Sequence, residues 1–165
     1  MLVRIALLTL AVIVFFASSV TPCIADREYT LSSASIAFSL PKGDDKDNDT
    51  SVSVYVKTMI DEEYYTLASR ANFAATPNPD ESGTWEDPSP HDYVYDLNVN
   101  SFSYSQVGAL YTKIRISPNG NDTVKFGYTV TLKFTKGSGK NKKTKTMTQT
   151  RSGIELSESN TTYNS

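Results

Sequence analysis

The sequence has 165 residues, a formal charge of −2 and 21% charged residues, the composition of one ordinary globular domain. One Cys, one His and one Trp exclude a zinc cluster, a disulfide framework and a Cys–His nucleophile pair. The 10 Tyr and 7 Phe have to supply much of the core area.

The chain opens on a targeting pattern. Arg4 precedes the apolar run Ile5 to Phe16, and Cys23-Ile24-Ala25 follows as a small-x-small cleavage site. The run is shorter than the ~20 apolar residues a membrane-spanning helix requires. Residues 1–25 are therefore expected to be a signal peptide, and the mature protein to be secreted, extracellular and without a membrane anchor. Loss of Arg4 takes the charge to −3, and loss of Cys23 leaves no thiol.

Period-two alternation dominates the rest. Ile36, Phe38 and Leu40 mark a first strand; Val52, Val54 and Val56 mark a second. Met59 to Ala71 holds the best helical spacing, but Tyr64-Tyr65-Thr66 favours extended chain there. Tyr64 to Ala68 and Tyr93 to Val99 are weaker strand candidates. Between them, Thr76 to Asp92 contains Pro77, Pro79, Pro88 and Pro90 and reads as a long loop. Leu110, Thr112, Ile114 and Ile116 form another strand. Val124, Phe126, Tyr128, Val130, Leu132 and Phe134 alternate with polar residues and Gly127 in one long strand, and Thr144 to Thr150 is a further candidate. Turn signals at Pro41-Lys42-Gly43, Pro118-Asn119-Gly120 and Lys136-Gly137-Ser138-Gly139 separate the strands. The expectation is an all-β fold, a single antiparallel β-sandwich of about seven to eight strands over residues 26–156, with a β-barrel as the alternative. Residues 157–165 read as a polar tail that frays.

Between two strong strands lies Asp44-Asp45-Lys46-Asp47-Asn48-Asp49-Thr50. Calcium takes six to eight oxygen ligands, and a loop of clustered carboxylates supplies them. Asp44, Asp45, Asp47 and Asp49 are thus candidate Ca²⁺ ligands, and Asp122, in the turn Asn121-Asp122-Thr123, could join them. Thr50 and Val56 occupy the positions where an EF-hand needs Gly and Glu. A solvated hairpin tip is the competing reading, since Asp and Asn favour turns. Asn48, Asn121 and Asn160 head glycosylation sequons.

These motifs carry a resemblance. The loop Gly43 to Thr50, followed by Ile116-Ser117-Pro118-Asn119-Gly120-Asn121-Asp122-Thr123-Val124-Lys125-Phe126, resembles a group of small secreted microbial β-proteins. In those, an Asp-Asp-Lys-Asp-x-Asp-Thr loop precedes one strand and a Pro-x-Gly-x-Asp-Thr turn precedes a long one. The likeness spans roughly residues 34–134 and brings no assigned activity. In overall character, short, secreted, cysteine-free and rich in Ser, Thr and Tyr, the chain also resembles the spherulins of encysting slime moulds. That likeness implies a developmental coat or wall role and brings no catalytic residues.

Three further features bear on function. Trp85, with Glu86, Asp87 and the nearby Tyr93 and Tyr95, could stack a sugar ring, or the loop could fold onto the core. Lys136, Lys140, Lys142, Lys143 and Lys145 form a basic hairpin that could bind anionic polysaccharide or a membrane surface, or protect a sheet edge. Nucleic acid is not expected, because the chain is net acidic and no aromatics interleave with these lysines. No enzyme is expected either: His91 is the only imidazole and has no glycine-framed serine near it. The sequence thus points to a secreted structural or matrix protein of coat or wall type, stabilised by calcium, with wall polysaccharide as its partner. The alternative is a carbohydrate-binding module built on Trp85.

Overall fold

The structure is a computed structural model and describes residues 28–41, 51–74, 92–117 and 123–165. Residues 1–25, read above as a signal peptide, and Asp44, Asp45, Asp47, Asp49, Asp122, Trp85, Asn48 and Asn121 lie outside the described residues.

Eight strands are described: β1 (Thr30–Ser39), β2 (Ser51–Ile60), β3 (Glu63–Ala74), β4 (Asp92–Val99), β5 (Leu110–Ser117), β6 (Thr123–Lys136), β7 (Lys143–Ser157) and β8 (Thr162–Asn164). All pairings are antiparallel, in the order β7-β6-β1-β4-β3-β2-β5-β8. Apart from two single 3-10 turns, the described chain is β-structure and irregular connection. The all-β expectation holds. The single sheet folds over on itself at β4, whose first part pairs with β1 while Asn98 and Val99 pair with β3. The two halves enclose one apolar core, so the fold is sandwich-like and close to a closed barrel.

The alternation explains the core. Val124, Phe126, Tyr128, Val130, Leu132 and Phe134 all point inward from β6 and are buried. Ile36 and Phe38 from β1 and Val52, Val54 and Val56 from β2 meet them in the same cluster. The Phe38 ring lies edge-on to Phe126 at 5.5 Å and to Tyr95 at 6.0 Å, the tilted geometry favoured by aromatic quadrupoles. A bulge interrupts the β6–β7 ladder between Phe126 and Tyr128. Opposite it, Gly153 has φ of 69°, a left-handed value that glycine adopts without steric cost.

The ends of the sheet are joined by side chains. Gln149 on β7 is buried, and its Nε2 donates to the Leu110 carbonyl at 2.6 Å. Its Oε1 accepts from Thr112 Oγ1 at 2.6 Å and from the Tyr128 hydroxyl at 3.2 Å. Burial pushes the Tyr128 hydroxyl above its ordinary pKa.

One expectation is corrected here. The tail does not fray: a turn at Ser157–Asn160 leads into β8, which pairs with β5, and Tyr163 packs edge-on against Tyr128 at 6.0 Å. The domain therefore runs past residue 156. The preference of Tyr64-Tyr65-Thr66 for extended chain is borne out, and Met59 to Ala71 holds no helix. That stretch contains the end of β2, a two-residue turn at Asp61-Glu62 and most of β3.

Candidate functional site

Strand alternation that buries one face of β2 and β5 presents the other outward. Val54, Val56 and Thr58 point inward, so Tyr55 and Lys57 point out; Thr112 and Ile114 point inward, so Tyr111, Lys113 and Arg115 point out. The β2–β5 register places Tyr55 opposite Lys113, Lys57 opposite Tyr111 and Ser53 opposite Arg115. Each tyrosine thus faces a lysine across the ladder. Tyr64 on β3, opposite Met59, extends this face by a third strand.

These residues line a cleft of about 260 Å³ between Lys57, Tyr64, Tyr111, Thr112, Lys113 and the β8 end at Asn164 and Ser165. The Tyr64 and Tyr111 rings meet at 5.0 Å and 87°, forming a corner. Tyr64 is 54% exposed, so part of its ring is open to a ligand. Lys57 and Lys113 are half-buried, which restrains their stems against the sheet. The rear wall is fixed: Thr112 N–H donates to Ser165 Oγ at 2.7 Å, and Ser165 N–H donates to the Thr112 carbonyl at 3.0 Å. A second, polar cleft of about 280 Å³ lies on the same face around Ser51, Ser53, Tyr55, Asn72, Arg115 and Ser117. There Ser53 Oγ accepts from Asn72 N–H at 3.0 Å and donates to Asn72 Oδ1 at 3.3 Å, holding Asn72 at φ of 51°. Among the described residues, no acidic side chain lines either cleft. Ring faces, amide and hydroxyl groups and two ammonium groups suit a sugar that carries a carboxylate.

The expected sugar platform fares differently. Tyr95 is 4% exposed, with its ring 4.6 Å from Phe73 and the Arg70 guanidinium 5.7 Å away. It is a core residue and cannot present a face to a ligand. Tyr93 is half-buried against the same core. The reason is the strand period, which turns Tyr93, Tyr95 and Leu97 inward while Val94, Asp96 and Asn98 face solvent. Asn160 is exposed in the β7–β8 turn, where a glycan would be sterically tolerated.

Among the described residues, no group of three or more His, Cys, Asp or Glu side chains is arranged to hold a metal. The strand ends that flank the acidic loop and Asp122 do lie together, because Ser51 pairs with Ser117. Ser51 also pairs with Ala74, and Ser39 with Asp92 and Gly127, so the strand ends flanking all three undescribed internal segments share one end of the sheet.

No protein family matches the chain, and neither a curated protein nor a solved structure shows significant similarity to it.

Proposed function

We propose that the protein is a secreted structural module of a wall or extracellular matrix that holds acidic polysaccharide in the Tyr64–Tyr111 cleft. The observation that carries this reading is the corner of two tyrosine rings flanked by Lys57 and Lys113, with no acidic side chain among the described residues of the lining. At about 260 Å³ the cleft is a little smaller than the roughly 300–1,000 Å³ of ligand pockets, so it suits one or two sugar rings of a longer chain. Affinity in a matrix then comes from many weak contacts along a polymer. The test is affinity electrophoresis through gels containing a uronic-acid polysaccharide. The wild-type protein is expected to be retarded. Tyr111→Ala and Tyr64→Ala should each weaken retardation by about tenfold in affinity, or ~1.4 kcal/mol. A neutral glucan should retard the protein less. Equal mobility of wild type and both variants in every gel would overturn the cleft assignment.

Calcium stabilisation remains part of this proposal. It is supported by the pairing of Ser51 with Ser117, which places the anchors of the acidic loop and of the Asp122 turn side by side. A cation bound only by the folded state adds RT ln(1 + [L]/Kd), about 2.7 kcal/mol at a hundredfold excess over Kd. Extracellular calcium modules bind at roughly 10⁻⁴ to 10⁻³ M. The melting temperature should therefore rise in millimolar Ca²⁺, fall back with chelator, and lose that response in Asp45→Asn/Asp47→Asn. A melting temperature indifferent to Ca²⁺ would leave the loop a solvated turn.

A further inference from the structure

We infer that the β6–β7 hairpin is a second binding surface, separate from the cleft, whose ligand is a densely charged, sulfated polysaccharide. Five of the ten residues from 136 to 145 are lysine and none is acidic. The register sets Lys136 directly opposite Lys143. Like charges facing each other across a ladder destabilise a sheet. Lys145 adds to the crowding: its Nζ lies 4.7 Å from the Tyr29 ring centroid, and Lys136 Nζ lies 5.0 Å from the same ring. Lys145 also sits 4.4 Å from the Tyr104 centroid. These contacts hold two ammonium groups in fixed positions on strands. The connecting loop is ordered too. Asn141 N–H donates to the Ser138 carbonyl and Lys142 N–H to that of Gly139, and Gly137, at φ of 75°, leaves no room for a side chain beside Asn141.

A few lysines suffice to blunt an exposed edge strand. That role does not account for five lysines in ten residues with no acidic side chain among them. Five lysines among ten residues with no acidic side chain, two of them held over aromatic rings, form a dense positive patch that a polyanion neutralises. The tip sequence Gly137-Ser138-Gly139-Lys140-Asn141 offers no apolar side chain to insert into a membrane. Tyr29 and Tyr104 already carry lysines on their rings, which leaves no aromatic platform for nucleic-acid bases. Lysine acts as a point charge and does not impose the bidentate geometry of arginine. That suits sulfate groups repeated along a flexible chain.

The test is elution of the full chain from immobilised heparin, a sulfated polysaccharide, in a salt gradient. The protein is net acidic, so retention at neutral pH has to come from a local patch. The wild type should be retained, and Lys140→Gln/Lys142→Gln/Lys143→Gln should elute at or near the starting salt. The corresponding triple arginine variant should be retained like wild type. Lys57→Gln/Lys113→Gln in the cleft should change elution little, so failure of this inference and failure of the cleft reading are distinguishable. The glutamine variant should melt at the same temperature as wild type, because Lys140, Lys142 and Lys143 are all exposed. Unchanged retention of the glutamine variant would overturn the inference. So would lysine-dependent pelleting with phosphatidylserine vesicles, or lysine-dependent binding to duplex DNA, at lower concentration than heparin requires.

Discussion

Deletion of Thr161–Ser165 should lower stability by about 3–5 kcal/mol, the scale of removing one large aromatic together with its neighbours. Tyr163 packs against Tyr128, and Lys113, Ile114 and Arg115 pair with β8. Ile116 N–H donates to the Thr161 carbonyl at 2.9 Å. Deletion strips these partners and turns β5 into an exposed edge. For a domain of this size the melting midpoint should fall by about 10–20 °C at ~4 °C per kcal/mol. Urea unfolding followed by far-UV circular dichroism checks it. A deletion variant with the wild-type midpoint would mean that the segment frays after all. Tyr163→Ala alone should account for a large share of the loss.

Gln149→Leu should destabilise by about 2–4 kcal/mol although it replaces a buried polar side chain with an apolar one of similar size. The Gln149 amide serves the Leu110 carbonyl, Thr112 Oγ1 and the Tyr128 hydroxyl together. Leucine removes that partner from all three; the Tyr128 hydroxyl keeps Ser165, Thr112 and Tyr163 beside it, while a buried group left orphaned costs about 1–3 kcal/mol. The loss is also topological, because this network links β7 to β5 across the gap between the ends of the sheet. The double variant Gln149→Leu/Thr112→Val should recover part of the loss, since removing both members of a pair costs less than removing one. Chemical denaturation of the four proteins in the cycle measures this. Additive losses would show that Gln149 and Thr112 are not coupled.

The sequence carried the strands well where alternation was long and unbroken. β6 reads directly from Val124 to Phe134, and its inward set is the observed core. It carried turns poorly where the usual residues were missing. The β2–β3 hairpin turns on Asp61 and Glu62 at φ of 48° and 67°, positions that Asn-Gly normally fills, so no glycine announced the turn. β8 has only three residues, and its polar flanks give no apolar period; its partner, β5, lies some fifty residues earlier. Tyr93, Tyr95 and Leu97 keep a strand's inward period, and that period buries Tyr95, whereas its closeness to Trp85 in sequence points to a surface role. The cleft was half legible. The inward face of β5 read from Leu110 to Ile116 implies that Tyr111, Lys113 and Arg115 point out. What no local pattern reveals is that β5 lies beside β2, which sets Tyr111 opposite Lys57. Non-local pairing of this kind is a property of the topology.

The most direct test of the proposed function is a two-dimensional amide NMR titration with a short uronic-acid oligosaccharide. Binding in the cleft should shift the amides of Lys57, Tyr64, Tyr111, Lys113 and Asn164 together, along one saturating curve, and leave those of β1 and β6 in place. Tyr111→Ala should abolish the shifts without disturbing the rest of the spectrum. Shifts centred on Trp85, or no saturable shifts at all, would contradict the assignment of this cleft as the polysaccharide site.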